Sequence, residues 1–202
     1  MTGSHHHEGG QHAVRSTCHP ARRLGFLLVL FLVASTHPPH GFAADGIPPD
    51  RKVTILLTAL SFNTNLQQRA GDRLTILGIG DCEAFDTLRT TEGRAVNGIP
   101  IRVREAGTFT TAGDLDARVE EYDASVVFVC SASAEDWVTL GEVAARNKII
   151  LIADDPQWVE TSATLGVGLR DNRPQLVLNM KNATAAGAQF DARIFGVARV
   201  IR

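Results

Sequence analysis

The residues best suited to chemistry in this 202-residue chain gather at the ends of short apolar runs. Asp81 follows the run Leu74 to Ile79, Ser131 and Ser133 follow Val126 to Cys130, and Asp154 and Asp155 follow Ile149 to Ala153, with Trp158 just beyond. In an open α/β sheet the ligand crevice lies outside the carboxyl ends of the strands, so Asp81, Ser131, Ser133, Asp154, Asp155 and Trp158 form a candidate ligand or partner crevice. An adjacent carboxylate pair could support acid/base catalysis. Neighbours at a strand end diverge in direction, however, and no nucleophile with a base beside it is evident. The same serines and aspartates also have an ordinary structural use, as helix caps and turn formers.

The histidines bound the chemistry further. All seven (His5, His6, His7, His12, His19, His37 and His40) precede Gly41. Histidine is the usual general base near neutral pH and the commonest metal ligand, so the chain beyond residue 44 offers no Ser-His or Cys-His pair, and neither an enzyme nor a metal site is expected there. Gly78-Ile79-Gly80 suggests a phosphate loop, but a dinucleotide fingerprint needs another glycine where Glu83 stands, and no Gly-x-x-x-x-Gly-Lys-Ser/Thr occurs. No cofactor is expected. Residues 1–44 hold three of the 20 basic residues and one of the 22 acidic ones, leaving 17 basic against 21 acidic, a net charge of −4. Nucleic-acid binding requires a basic stripe to replace phosphate counterions, and scattered arginines do not make one.

The elements that would position these residues are clearest from Asp123 to Asp155. Two β-branched apolar runs flank a segment with helical periodicity in Trp137, Leu140, Val143 and Ala144, which predicts a βαβ unit with a right-handed crossover. Ser131 or Ser133 can cap its helix. Upstream, Val53 to Leu66 is expected as an amphipathic helix ending near Gln67 to Gly71, with a strand as the alternative. Arg73 to Ile79 reads as a strand, about Asp81 to Arg89 as a helix, Ile101 to Arg104 as a strand and Asp114 to Tyr122 as a helix. Downstream, Leu165 to Leu169 and Leu176 to Leu178 flank the turn-forming Asp171-Asn172-Arg173-Pro174 and predict a hairpin. Asn179 can cap the turn after it, and Ala192 to Ile201 reads as an apolar closing helix. The expected fold is a three-layer, doubly wound α/β domain with a mostly parallel sheet, a C-terminal β-hairpin and a closing C-terminal helix.

Export is also expected. Arg15, Arg22 and Arg23 precede the apolar run Leu24 to Ala34, too short to span a bilayer comfortably, and small residues follow at Gly41, Ala43 and Ala44. This reads as a signal peptide over residues 1–44, cleaved near Ala43 or Ala44, then a linker over 45–51 and one domain over 52–202; an uncleaved anchor would leave the domain on the same side of the membrane. Cys82 and Cys130 remain after cleavage, each just past the end of an apolar strand run. If those strands are parallel neighbours, the two cysteines come within disulfide reach in an oxidising compartment. Two buried free thiols are the alternative.

The order of segments resembles the YfiR-like family of periplasmic proteins. The likeness is carried by the apolar helix before Arg73-Leu-Thr-Ile-Leu-Gly78, by Gly93-Arg-Ala-Val-Asn-Gly-Ile-Pro-Ile-Arg-Val103, by Val126-Val-Phe-Val-Cys-Ser131, and by Gln175-Leu-Val-Leu-Asn-Met180 with the apolar segment after it. It covers about Lys52 to Arg202. The chain departs from the family at Ser61 to Gln68, where a Phe-x-x-x-x-Trp-Pro pattern is usual, and at Thr161-Ser-Ala-Thr164, where glycines are usual. The resemblance implies a non-catalytic periplasmic regulator that binds the outer part of an inner-membrane signalling protein, of diguanylate cyclase or sensor kinase type. A homodimer is left open. The alternative reading is a periplasmic sensor of a small ligand, bound in the crevice above.

Overall fold

The computed structural model describes residues 46–202, so the expected leader over 1–44 lies outside the described residues. The chain opens with helices α1 (Pro49–Ser61) and α2 (Leu66–Ala70), then alternates: β1 (Leu74–Ile79), α3 (Glu83–Arg89), the short β2 (Ala95–Val96), β3 (Ile99–Glu105), α4 (Ala112–Tyr122), β4 (Val126–Val129), α5 (Ala134–Asn147) and β5 (Ile150–Ala153). A 3-10 helix (Pro156–Glu160) leads to the hairpin β6 (Leu165–Arg170) and β7 (Arg173–Asn179). Helix α6 (Met180–Ala185), a second 3-10 helix (Ala192–Gly196) and β8 (Ala198–Ile201) follow.

The strands form one sheet in the order β2-β3-β1-β4-β5-β6-β7-β8. Pairing is parallel from β3 through β6 and between β7 and β8; β2 runs antiparallel to β3, and β7 to β6. Strands β1, β4 and β5 are buried at every position, as strands covered on both faces must be. Their residues alternate between two cores. On one face Leu74, Ile76, Val126, Phe128, Ile150 and Ile152 pack with Val53, Leu56 and Leu60 of α1 and with Phe85 and Leu88 of α3. On the other, Leu77, Ile79, Val127, Val129 and Leu151 pack with Leu115 and Val119 of α4 and with Trp137, Leu140 and Val143 of α5. Each large side chain so buried contributes about 1.5–3 kcal/mol. The result is the expected three-layer α/β architecture with a mostly parallel sheet.

Local signals explain most boundaries. Pro49 takes the first helical position of α1, where its missing N–H costs nothing, so helix begins inside the stretch read as linker. Thr111 and Ser133 cap α4 and α5, each in a reciprocal capping box with the aspartate three residues on. Asp171 and Asn172, with φ of 50° and 59°, form the two-residue turn between β6 and β7.

Two expectations need correction. The first helix ends at Ser61 rather than near Gln67 to Gly71, because the next residues leave the helix to pair with residues 189–191: Thr64 N donates to Gln189 O at 2.7 Å and Asp191 N to Phe62 O at 2.8 Å. The closing segment is no α-helix. Ile194, Phe195, Val197, Ala198 and Ile201 satisfy a helical spacing, but Gly196 ends a single 3-10 turn. The β-branched residues after it add a strand to β7, with Leu176 opposite Ala198 and Asn179 opposite Ile201.

Candidate functional site

The carboxyl ends of β1, β4 and β5 lie side by side, since Ile79 pairs with Val129 and Val129 with Ala153. That register brings the candidate residues to one edge of the sheet. Each then has a specific place.

Cys82 and Cys130, three residues and one residue past the ends of their strands, form a disulfide with Cα atoms 5.5 Å apart. The link is framed by Cys130 N donating to Ile79 O at 2.9 Å. Asp81 and Ser131 are exposed beside it. Gly80 has φ of 74°, and a Cβ there would sit 3.3 Å from the Ser131 hydroxyl, so only glycine makes this turn without crowding. Gly78 has a different function from the phosphate loop that its spacing suggests. A Cβ at Gly78 would fall 2.0 Å from Cζ of Phe85, so the missing side chain is the seat of the Phe85 ring, which also stacks on Phe128 at 6.1 Å.

Ser133 is exposed and caps α5. Its hydroxyl accepts from Asp136 N at 3.1 Å, and the Asp136 carboxylate accepts from Ser133 N at the same distance. Asp155 caps the first 3-10 helix by accepting from Gln157 N at 3.0 Å. Asp154 turns the other way, to Lys52 on α1. The Lys52 ammonium donates to Oδ1 of Asp154 at 2.8 Å and to its main-chain oxygen at 3.1 Å, with the lysine side chain only 5% exposed. The two carboxylates thus diverge and do not form an acid/base pair.

Lys52 was missed in the sequence. Its signal is positional: it lies one turn before Leu56 on the face of α1 that buries Val53, Leu56 and Leu60, and a charge on a buried stripe must meet an opposite charge. Trp158 stacks on Trp137 with ring centroids 5.2 Å apart and planes 14° from parallel. The Trp137 ring is buried and its indole N–H finds no acceptor among the described residues. What seats the 3-10 helix, and hence Trp158, is a pair of strand glycines. A Cβ at Gly166 would lie 2.7 Å from Cγ2 of Val159, and one at Gly168 would lie 3.2 Å from Cγ of Pro156.

Among the described residues no three His, Cys, Asp or Glu side chains converge as metal ligands, and no helix is long and apolar enough to cross a membrane. The edge therefore gathers the predicted residues, but as caps, an ion pair, an aromatic stack and a disulfide.

The sequence profile of the YfiR/HmsC-like family matches residues 50–199, nearly all of the described chain. The chain belongs to the YfiR/HmsC-like family. No curated protein sequence matches it. Among solved structures it is similar in fold to an ABC domain from Streptococcus pneumonia in complex with L-Trp, with 12% identity and a TM-score of 0.53 over 76% of this chain and 62% of that one. It is also similar to the ligand-free, open form of a substrate-binding protein with adhesive properties from Clostridium difficile, with 14% identity and a TM-score of 0.52 over 78% and 61%. A conserved domain protein from Vibrio cholerae gives 13%, 0.54, 78% and 61%. The chain thus spans about six-tenths of the length of these proteins. At such identities the likeness is one of fold.

Proposed function

We propose that this YfiR/HmsC-like chain is an exported, periplasmic regulatory module that acts without catalysis, by binding the outer part of an inner-membrane signalling protein of diguanylate cyclase or sensor kinase type. The observation that carries the reading is the commitment of the chemistry-bearing residues to structure. Asp154 is tied to Lys52, Ser133 and Asp155 are caps, Cys82 and Cys130 are joined, and no histidine follows residue 40. A module built this way works by contact: it binds one state of its partner more tightly than the other and shifts the population. The disulfide accords with an oxidising compartment.

The test is recovery of a specific inner-membrane protein by the tagged, full-length chain from crosslinked membranes. A signalling protein enriched over a tagged exported control supports the reading; no enrichment with a competent crosslinker speaks against it. A second reading, the ligand sensor, is favoured by one observation, the buried Trp137 indole N–H without an acceptor under the Trp158 ring. A ligand there would raise the melting temperature, because it binds only the folded chain.

A further inference from the structure

The charge of this molecule is unevenly divided. Residues 164–202, which hold the sheet from β6 to β8, carry six basic and two acidic residues, a net of +4, whereas residues 46–163 carry 11 basic and 18 acidic, a net of −7. The basic part also holds three of the four exposed large apolar side chains among the described residues: Leu169, Phe195 at 47% and Val197 at 58% exposed.

These features meet at β8. Among the described residues it is the last strand of the sheet and pairs only with β7, so its outer edge presents N–H and C=O groups that no described residue pairs, which is the template for adding another strand. Hollows flank it. One of about 540 Å³ is lined by Met180, Phe195, Ala198, Val200 and Arg202; another, of about 460 Å³, places Val197 with Arg170, Arg173 and Pro174. Arg199 is paired with Glu160 and Arg193 with Asp191, but Arg173, Lys181 and Arg202 form no ion pair among the described residues. The other outer edge is treated differently. There the last strand, β2, is only two residues long, and past it β3 is met from within the chain: the Glu92 carboxylate accepts from Val103 N, and Gly93 N and Arg94 O bond to Ile101.

We infer that the outer edge of β8 is a docking surface for an extended, acidic segment of the partner, which adds a strand beside Ala198–Ile201. Its carboxylates then meet Arg173 and Arg202 while its apolar side chains cover Phe195 and Val197. The inference rests on the regulatory reading above and deepens it by naming the surface and the chemistry of what it takes. Charge complementarity selects this occupant over a second copy of the chain, whose own edge is equally basic.

The test has two arms. In the first, the full chain carries benzoylphenylalanine at Phe195 or, as the control, at Val138, which is 60% exposed on α5, and is photolysed in cells. Crosslinks from position 195 alone, mapped by mass spectrometry to a membrane-protein segment rich in Asp and Glu, are expected. Crosslinks from 138 but not 195, to phospholipid, or to a second copy of the chain overturn the inference and leave the regulatory reading standing. In the second arm the purified protein is titrated with a blocked Val-Glu-Val-Glu-Val-Glu peptide and with its Val-Lys counterpart. Binding of the acidic peptide alone, with slowed amide exchange in β8, is expected. Arg173→Glu with Arg202→Glu should weaken it about tenfold or more without altering the melting temperature. Equal binding of both peptides, binding of neither, or no effect of the exposed charge reversals overturns it. This arm decides the inference even if no partner is recovered from membranes, the outcome that would sink the regulatory reading.

Discussion

Replacing Cys82 and Cys130 by serine tests whether the strand-end disulfide stabilises the domain as its place in the fold requires. The bridge closes a loop of 48 residues between β1 and β4, two strands already paired in parallel. The native state therefore loses little when the bond is opened, and the main effect falls on the unfolded chain. For a loop of that length the chain-entropy relation gives about 14 cal/mol/K, or about 4 kcal/mol at 25 °C. For a domain of this size that corresponds to a fall in melting temperature of about 10 °C. The assay is guanidinium unfolding followed by tryptophan fluorescence, for the wild type with and without reductant and for the double serine variant. Reduced wild type and variant should coincide, both less stable than the oxidised protein. The slope against denaturant should rise, because the opened unfolded chain exposes more surface. Identical midpoints with and without reductant would refute the argument, since the two thiols would then be free or the bridge without effect on the unfolded chain.

Other expectations follow from single contacts. Lys52→Met strands the Asp154 carboxylate and should cost about 3 kcal/mol, while the pair Lys52→Met with Asp154→Leu should recover most of it, a coupling read by a double-mutant cycle of urea midpoints. Gly166→Val drives a side chain into Val159 and should lift the 3-10 helix, costing about 1–3 kcal/mol and altering the near-ultraviolet circular dichroism of the Trp137–Trp158 stack. Ser133→Ala removes the cap of α5 and should cost about 1 kcal/mol in thermal unfolding. Hydrogen bonds from the Arg193 side chain and backbone hold the Asp191 carboxyl below the usual carboxylate range, and those from Thr110 do the same for Asp114. Their stabilisation is therefore complete above the ordinary aspartate range and is lost as pH falls through the lower folded values. Asp191→Asn should flatten the acid limb of stability against pH.

Much of this fold was legible because its central segments carry unambiguous signals. Val126 to Val129 and Ile150 to Ala153 are too short and too apolar for anything but buried strands, and Trp137, Leu140 and Val143 recur at the spacing of one helix face. The hairpin was legible because Asp171 and Asn172 tolerate the left-handed conformation that its turn requires. The last ten residues were not. Their apolar spacing suits a helix as well as a strand, and what decides is the free edge of β7, a tertiary fact that no local pattern carries. The candidate site was legible in place but not in use. Strand-end aspartates and serines announce an edge of the sheet, whereas the partner that gives Asp154 its purpose stands 102 positions away at Lys52. The spacing of Gly78 suggests a phosphate loop in the sequence, whereas the structure shows it to be space for Phe85, just as Gly166 and Gly168, which carry no local signal, are space for Val159 and Pro156.

The most direct test of the proposed function is a titration of the purified chain against the membrane protein that crosslinking recovers with it, in lipid nanodiscs, with that protein's own output, cyclic dinucleotide synthesis or phosphorylation, as the readout. A saturable change in that output, with no substrate consumed by the chain alone, is the predicted result. An output that stays constant at full occupancy, or turnover by the chain in the partner's absence, would contradict it.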